Sequence, residues 1–165
     1  MSELVPLVFT LQDKKVVIIG GGNIAFRKAK AFIKSGASIT IISPQILEDF
    51  KQFPSISCIN KRFEKDDIKE AHMIIAATND KEINQYVKEC TTDFQWFNDV
   101  SDQNNSDFHT PAVVRRGDLV ISVSTSGKSP ILSKKIKNEL ENYFDDHYVE
   151  IVKTYADNRK KPGNE

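Results

Sequence analysis

Three small residues at fixed spacing, Gly20, Gly22 and Ala25, stand in the stretch "VVIIGGGNIAFRKAKAFIKSG" between residues 16 and 36. An apolar, largely β-branched run at 16–19 precedes them, and a helix is predicted over 23–35. That order suits a phosphate chemistry. The first glycine lets the chain turn sharply out of a strand. The second leaves no side chain between the backbone and an anion, and the small third residue lets helix and strand pack closely. A helix starting at Asn23 then offers its free N–H groups, those near Asn23 and Ile24 among them, to a pyrophosphate, together with the positive end of its dipole. The pattern reads as a dinucleotide site; the alternative is a tight strand-to-helix turn that holds no ligand.

Other residues that such a ligand would meet stand at the ends of two later strands. Ser43, Pro44 and Gln45 close the strand predicted over 38–42. Ser43 occupies the place where an Asp or Glu commonly holds the adenosine ribose. No arginine among 43–45 offers itself to a 2′-phosphate, so the reading is NAD rather than NADP. Thr78, Asn79 and Asp80 follow the buried run at 73–77, at the sheet edge where ligands bind in such folds. The same three residues also make a helix N-cap cluster before 81–90. No His, Cys, Asp or Glu set has the tight spacing of a metal site, so no metal is expected.

The elements that must position these residues alternate between strand and helix. Beyond those named, the pattern predicts a weak helix over 45–53, a strand over 57–60, a short helix over 65–71 and a strand over 96–98. Alternation from residue 14 to 100 implies a Rossmann-like α/β fold with a parallel sheet and right-handed crossovers. A polar, irregular stretch, "SDQNNSDFHTPA", then leads to two strands joined at Arg116-Gly117-Asp118. A helix from Ser129-Pro130 to about Tyr143 and another over 146–158 complete the chain, before a polar tail. The expected division is a dinucleotide-binding domain over 1–112, a small strand–helix segment over 113–145, and a short helical C-terminus over 146–165.

Composition narrows the function classes. Lys and Arg number 23 and Asp and Glu 23, a balance that favours neither nucleic acid nor an anionic membrane. The apolar runs fall well short of the roughly 18 residues of a membrane span, and "MSELVPLVFT" lacks the parts of a signal peptide, so a cytoplasmic protein is expected. Cys58 and Cys90, without a paired motif, read as two buried thiols in a reducing compartment.

Taken in order, "VVIIGGGNIAFRKAKAFIKSGASITIISP", "MIIAATND", "FNDVSDQNNSDFHTPAVV" and "ISVSTSGKSP" resemble the precorrin-2 dehydrogenase family of siroheme biosynthesis, which includes the N-terminal half of multifunctional siroheme synthase. The likeness covers nearly the whole chain. It implies NAD in the first domain, a homodimer built through the second segment, and a third helical portion for which 146–165 leaves only a shortened form. It also implies loss of a hydride and protons from precorrin-2, giving sirohydrochlorin and NADH. Some members of the family insert ferrous iron as well, and others leave that step to a separate chelatase.

The family places an acid/base carboxylate after an Asn-Val stretch, which here runs Asn98-Asp99-Val100-Ser101-Asp102. Aligned without gaps on Phe108 and Pro111, the Asp of one branch falls on Ser101, and the Ser-Asp variant of the other falls on Asp102. The resemblance thus assigns the base to Asp102, with partial burial expected to raise its pKa; the other reading is an Asx-turn residue. His109 would orient the tetrapyrrole, pair with a propionate or relay a proton, or else cap local backbone. Asp99 and Asp107 read as turn residues, and His72 and His147 as structural. Ser124, Thr125, Ser126, Gly127 and Lys128 form a hydroxyl-rich turn that would hold substrate carboxylates or only cap the next helix. Arg115, Arg116, Lys134 and Lys135 are candidates for a basic rim around a substrate with eight carboxylates.

Val114, Leu119, Ile121, Ile131, Leu132, Ile136 and Leu140 exceed what so small a segment buries alone. A homodimer with the tetrapyrrole site near its interface is therefore expected, in line with the family. The rival from another class is a regulatory NAD-sensing module. Such modules share the strand–glycine–helix order, but carry the acid after the second strand and lack the 102–109 loop.

Overall fold

Val16, Val17, Ile18 and Ile19 are all buried, which requires neighbouring strands on both edges and packing on both faces. They lie in β1 (Lys15–Ile19), the centre of a five-stranded parallel sheet in the computed structural model, which describes residues 3–159. On one side lie β2 (Ser38–Ile42) and β3 (Ile56–Ile59), on the other β4 (Met73–Ala76) and β5 (Trp96–Asp99), in the order β3-β2-β1-β4-β5. The order reverses at β1, so a crevice opens beyond the carboxyl ends of the strands there.

Alternation of side chains along the strands makes two cores. Val16, Ile18, Ile39, Ile41 and Ile75 face Ala25 and Ala29 of helix α1 (Asn23–Lys30). Val17, Ile19, Ile42, Ile74 and Phe97 face Val87 and Cys90 of helix α2 (Lys81–Cys90). The parallel α/β architecture is the one that the alternating sequence pattern implies.

Several local expectations need correction. The helix predicted over 23–35 ends at Lys30. The backbone continues in tighter turns, with Phe32 N–H donating to Ala29 C=O and Ser35 N–H to Phe32 C=O, both spanning three residues. The helices expected over 45–53 and 65–71 are single 3₁₀ turns, Glu48–Gln52 and Lys65–Ile68, each burying one side chain, Phe50 and Ile68. Cys58 is exposed and not a buried thiol, because β3 is paired on one side only; Cys90 is buried. Residues 1–2 of the N-terminal stretch and 160–165 of the polar tail lie outside the described residues.

The chain divides into two compact units after His109, where the sequence reading sets a boundary after residue 112. In the second unit β6 (Ala112–Arg116) and β7 (Leu119–Val123) form an antiparallel hairpin. Its turn contains Gly117, whose φ of 57° is left-handed. Helix α3 (Pro130–Tyr143) follows, with Ser129 accepting from Leu132 N–H as its N-cap. Helix α4 (His147–Arg159) packs against β7 within this unit. Arg116 ties the pieces together, donating to Glu141 C=O on α3 at 3.0 Å and lying 3.4 Å from Asp146.

The outer edge of β5 is closed by a side chain. Asp107 donates its N–H to Phe97 C=O at 2.8 Å, and its carboxylate accepts Phe97 N–H at 2.9 Å and pairs with Lys88 at 3.1 Å. Asp107→Ala leaves the N–H of fully buried Phe97 without a partner. It should lower stability by about 1–3 kcal/mol, seen as a lower urea midpoint at an unchanged m-value. An unchanged midpoint would show that water replaces the carboxylate there at no cost.

Candidate active site

The three consecutive glycines have three different surroundings. Gly20 has φ of 121°, and a Cβ there would stand 2.4 Å from the carbonyl oxygen of Ala77, at the end of β4. A Cβ on Gly21 would meet Gln45 O at 2.2 Å, in the loop after β2, where Leu47 N–H donates to Gly21 C=O. Around Gly22 a Cβ would meet nothing within 4 Å. Two glycines therefore let backbone segments touch, and the third opens onto space. Gly21 is the residue that the spacing argument overlooks, since its need depends on which loop crosses it.

That space is a cavity of about 790 Å³. Gly20, Gly22, Asn23, Ile24, Ser43, Pro44, Gln45, Thr78 and Asn79 all line it, and so do Ile46, Leu47 and Ile83, which the motif does not indicate. Ala25 is fully buried against the sheet, in the helix–strand packing role. Gly22 is the N-cap of α1 and supplies no side-chain cap, so the first-turn N–H groups of α1 face the cavity end without a side-chain acceptor. An uncapped helix start over a glycine with open space suits a pyrophosphate, by hydrogen bonding and by dipole. On this ground the residues present fit a dinucleotide.

Asp80 lies on a second cavity nearby and uses its carboxylate as the N-cap of α2, accepting from Glu82 N–H at 2.9 Å and Ile83 N–H at 3.3 Å. Tyr86, lining the same second cavity, has its phenol held above the ordinary tyrosine range by the neighbouring Cys90 thiol. It stays protonated around neutral pH.

Beneath the loop after β4 runs a buried polar network. Asn84, on α2, is fully buried. Its Oδ1 accepts from Thr78 Oγ1 at 2.6 Å, and its Nδ2 donates to Thr78 C=O, Asp99 Oδ1 and Ser101 Oγ at 3.3–3.4 Å. Asp99 is only 4% exposed, and its Oδ1 also accepts from Ser101 N–H at 2.8 Å, Ser101 Oγ at 2.6 Å and Asp102 N–H at 3.3 Å. The carboxylate is satisfied by neutral donors alone, and it ties the loop after β5 to the loop after β4.

Asp102 differs from the expectation of partial burial: it is exposed in the chain, because it begins the outward 3₁₀ turn Gln103–Asn105. Its Oδ1 accepts Asn104 N–H at 2.9 Å. His109 is half-buried at the end of the same loop. Asp107 serves β5, and His72 accepts Lys15 N–H through Nδ1 at 3.1 Å.

Ser124, Thr125, Ser126, Gly127 and Lys128 lie in the second unit, between β7 and α3. Ser124 Oγ accepts Ser126 N–H, and Thr125 Oγ1 accepts Ser129 N–H while donating to Ser129 C=O. Ser126 has φ of 51°, a left-handed conformation uncommon for a residue with a side chain. The hydroxyls shape the turn, and Lys128 projects from it, exposed. Among the described residues no three His, Cys, Asp or Glu side chains stand together as a metal site, and no helix is long and apolar enough to cross a membrane.

Comparison with known proteins agrees with this geometry. Residues 7–112 match a family described as NAD(P)-binding, and residues 116–143 match the central region of sirohaem biosynthesis proteins. A precorrin-2 dehydrogenase of Bacillus subtilis (strain 168) is 38% identical over 162 residues, which are 96% of this chain and 100% of that protein. A precorrin-2 dehydrogenase of Priestia megaterium is 31% identical, over 88% of this chain and 74% of its own. The solved structure of SirC, a precorrin-2 dehydrogenase, superposes with a TM-score of 0.79 at 29% identity, covering 91% of this chain and 76% of that one.

The glycine surroundings yield a paired test. Gly22→Asp sets a negative side chain in open space, so the fold should survive while binding of NAD and NADP falls by more than about a hundredfold. Gly21→Ala drives a methyl into a backbone carbonyl and should cost about 1–3 kcal/mol or more of stability. Calorimetric titration and thermal melts of both variants check this. Undiminished dinucleotide affinity in a folded Gly22→Asp protein would put the phosphates elsewhere.

Proposed function

Because the chain belongs to the precorrin-2 dehydrogenase family, we propose that it removes a hydride and a proton from precorrin-2 to give sirohydrochlorin, with NAD as the acceptor, as a step of siroheme biosynthesis. The observation that carries the reading is the uncapped start of α1 at Gly22, opening into the cavity that the ends of β1, β2 and β4 share. NAD, when bound, takes the hydride. The chain's own residues hold the dinucleotide and move the proton. The first-turn N–H groups of α1 bind the pyrophosphate, and Ser43 offers its hydroxyl to the adenosine ribose.

Asp102 is the proposed base. One of its oxygens is held by Asn104 N–H, and the other has no hydrogen-bond partner among the described residues, leaving it able to take a proton. Substrate docked over this exposed carboxylate excludes water from it. Asp99 suits the task poorly, since four donors already converge on its Oδ1. We assign His109 to a substrate propionate, and Ser124–Lys128, with exposed Lys128, to further carboxylates.

A homodimer completes the proposal. Ile131 is 84% exposed, and Leu132, Val120 and Tyr143 are exposed too, an apolar surface that a second copy would cover.

Asp102→Asn should lower kcat for sirohydrochlorin formation about 10²–10⁴-fold, with NAD affinity unchanged. Turnover within about threefold of the unaltered enzyme would remove Asp102 as the base. His109→Ala should cost about tenfold to a hundredfold and raise KM. Sedimentation at micromolar concentration should show a dimer, and a clean monomer would overturn the assembly.

A further inference from the structure

The preference for NAD rests on residues 43–45, which hold no arginine; the fold delivers one from the turn after a neighbouring strand. β2 and β3 are parallel and in register, Ile42 opposite Ile59, and Ser43 N–H donates to Ile59 C=O at 3.2 Å. The turn after β3 therefore lies beside the end of β2. Arg62, in that turn, lines the same cavity of about 560 Å³ as Ser43 and Pro44, and Ile83 and Tyr86 line it as well. This cavity shares Gly20, Ser43, Pro44, Thr78 and Ile83 with the glycine-loop cavity, so one extended ligand can reach both.

The charges in this corner are unequal. Lys61 is occupied, 2.8 Å from Glu64 and 2.9 Å from Asp67. Arg62 is exposed and makes no ion pair or side-chain hydrogen bond among the described residues. The acid lining the cavity, Asp80, is engaged as the cap of α2. At the end of β2, where a carboxylate would repel a 2′-phosphate, stands the hydroxyl of Ser43.

We propose that Arg62 and Ser43 form a 2′-phosphate subsite, and that this chain accepts NADP as well as NAD. The proposal rests on the reading that a nicotinamide dinucleotide occupies the glycine-loop cavity. A guanidinium donates two parallel hydrogen bonds to a phosphate and keeps its charge at every working pH, and a serine hydroxyl adds a third donor.

The test is calorimetric titration of the full chain, unaltered and as Arg62→Ala, with NAD, NADP, 5′-ADP and 2′,5′-ADP. In the unaltered protein NADP should bind within about tenfold of NAD. Arg62→Ala should weaken NADP and 2′,5′-ADP about tenfold to a hundredfold, and NAD and 5′-ADP less than about threefold. NADP binding more than about a hundredfold weaker than NAD would overturn the proposal while leaving the dinucleotide reading intact. Equal weakening of all four ligands by Arg62→Ala would also overturn it, assigning Arg62 to stacking on the adenine. Absence of binding by all four in the unaltered protein would sink both the proposal and the reading beneath it.

Discussion

The close approach of backbone to backbone at Gly20 and Gly21 is the constraint from which the rest of the site follows. The end of β1 is wedged between the loop after β4, against Gly20, and the loop after β2, against Gly21. No residue with a side chain fits either place without moving a carbonyl. Three loops that are distant in sequence thereby converge within a few ångströms, and α1 must begin where they meet. The cavity is the space left over at Gly22, and its uncapped helix start is a consequence of having no side chain there.

A second constraint holds the chemistry in register with that cavity. Asn84 is an amide with no access to water, and it uses both of its ends: Oδ1 toward Thr78, Nδ2 toward Asp99 and Ser101. Burying such a group is tolerable only when its donors and acceptors are paired. The same pairing ties the loops after β4 and β5 to each other. Asp99, buried without a cation, belongs to this framework. The neighbouring Asp102 is left outside it, with an oxygen to spare.

In the second unit the hydroxyls of the turn before α3 are spent largely on its own geometry, through Ser124, Thr125 and Ser129. A left-handed Ser126 is kept in place by these bonds. These bonds fix the shape of the turn, with Lys128 exposed on it.

The amino-acid sequence by itself determined the elements whose signals are local. The β-branched runs at 16–19, 38–42 and 73–77 can be buried on both faces only in a parallel sheet. Asp80 and Ser129 announce helix starts through their own caps, and Gly20 and Gly22 mark the turn between strand and helix. What depends on neighbours from elsewhere in the chain was decided by the tertiary structure alone. Whether 45–53 and 65–71 wind into helices or stop at a single 3₁₀ turn depends on how much sheet lies beneath them to cover. Cys58 is exposed because strand order puts β3 at an edge, and Gly21 is indispensable because the loop after β2 happens to cross it. Arg62 lines a cavity with Ser43 for the same kind of reason: parallel pairing sets two strand ends side by side, although Arg62 comes 19 positions after Ser43 in the chain. Spacing along a chain reports on turns and periods, whereas strand order sets distances in space, and no local pattern encodes it.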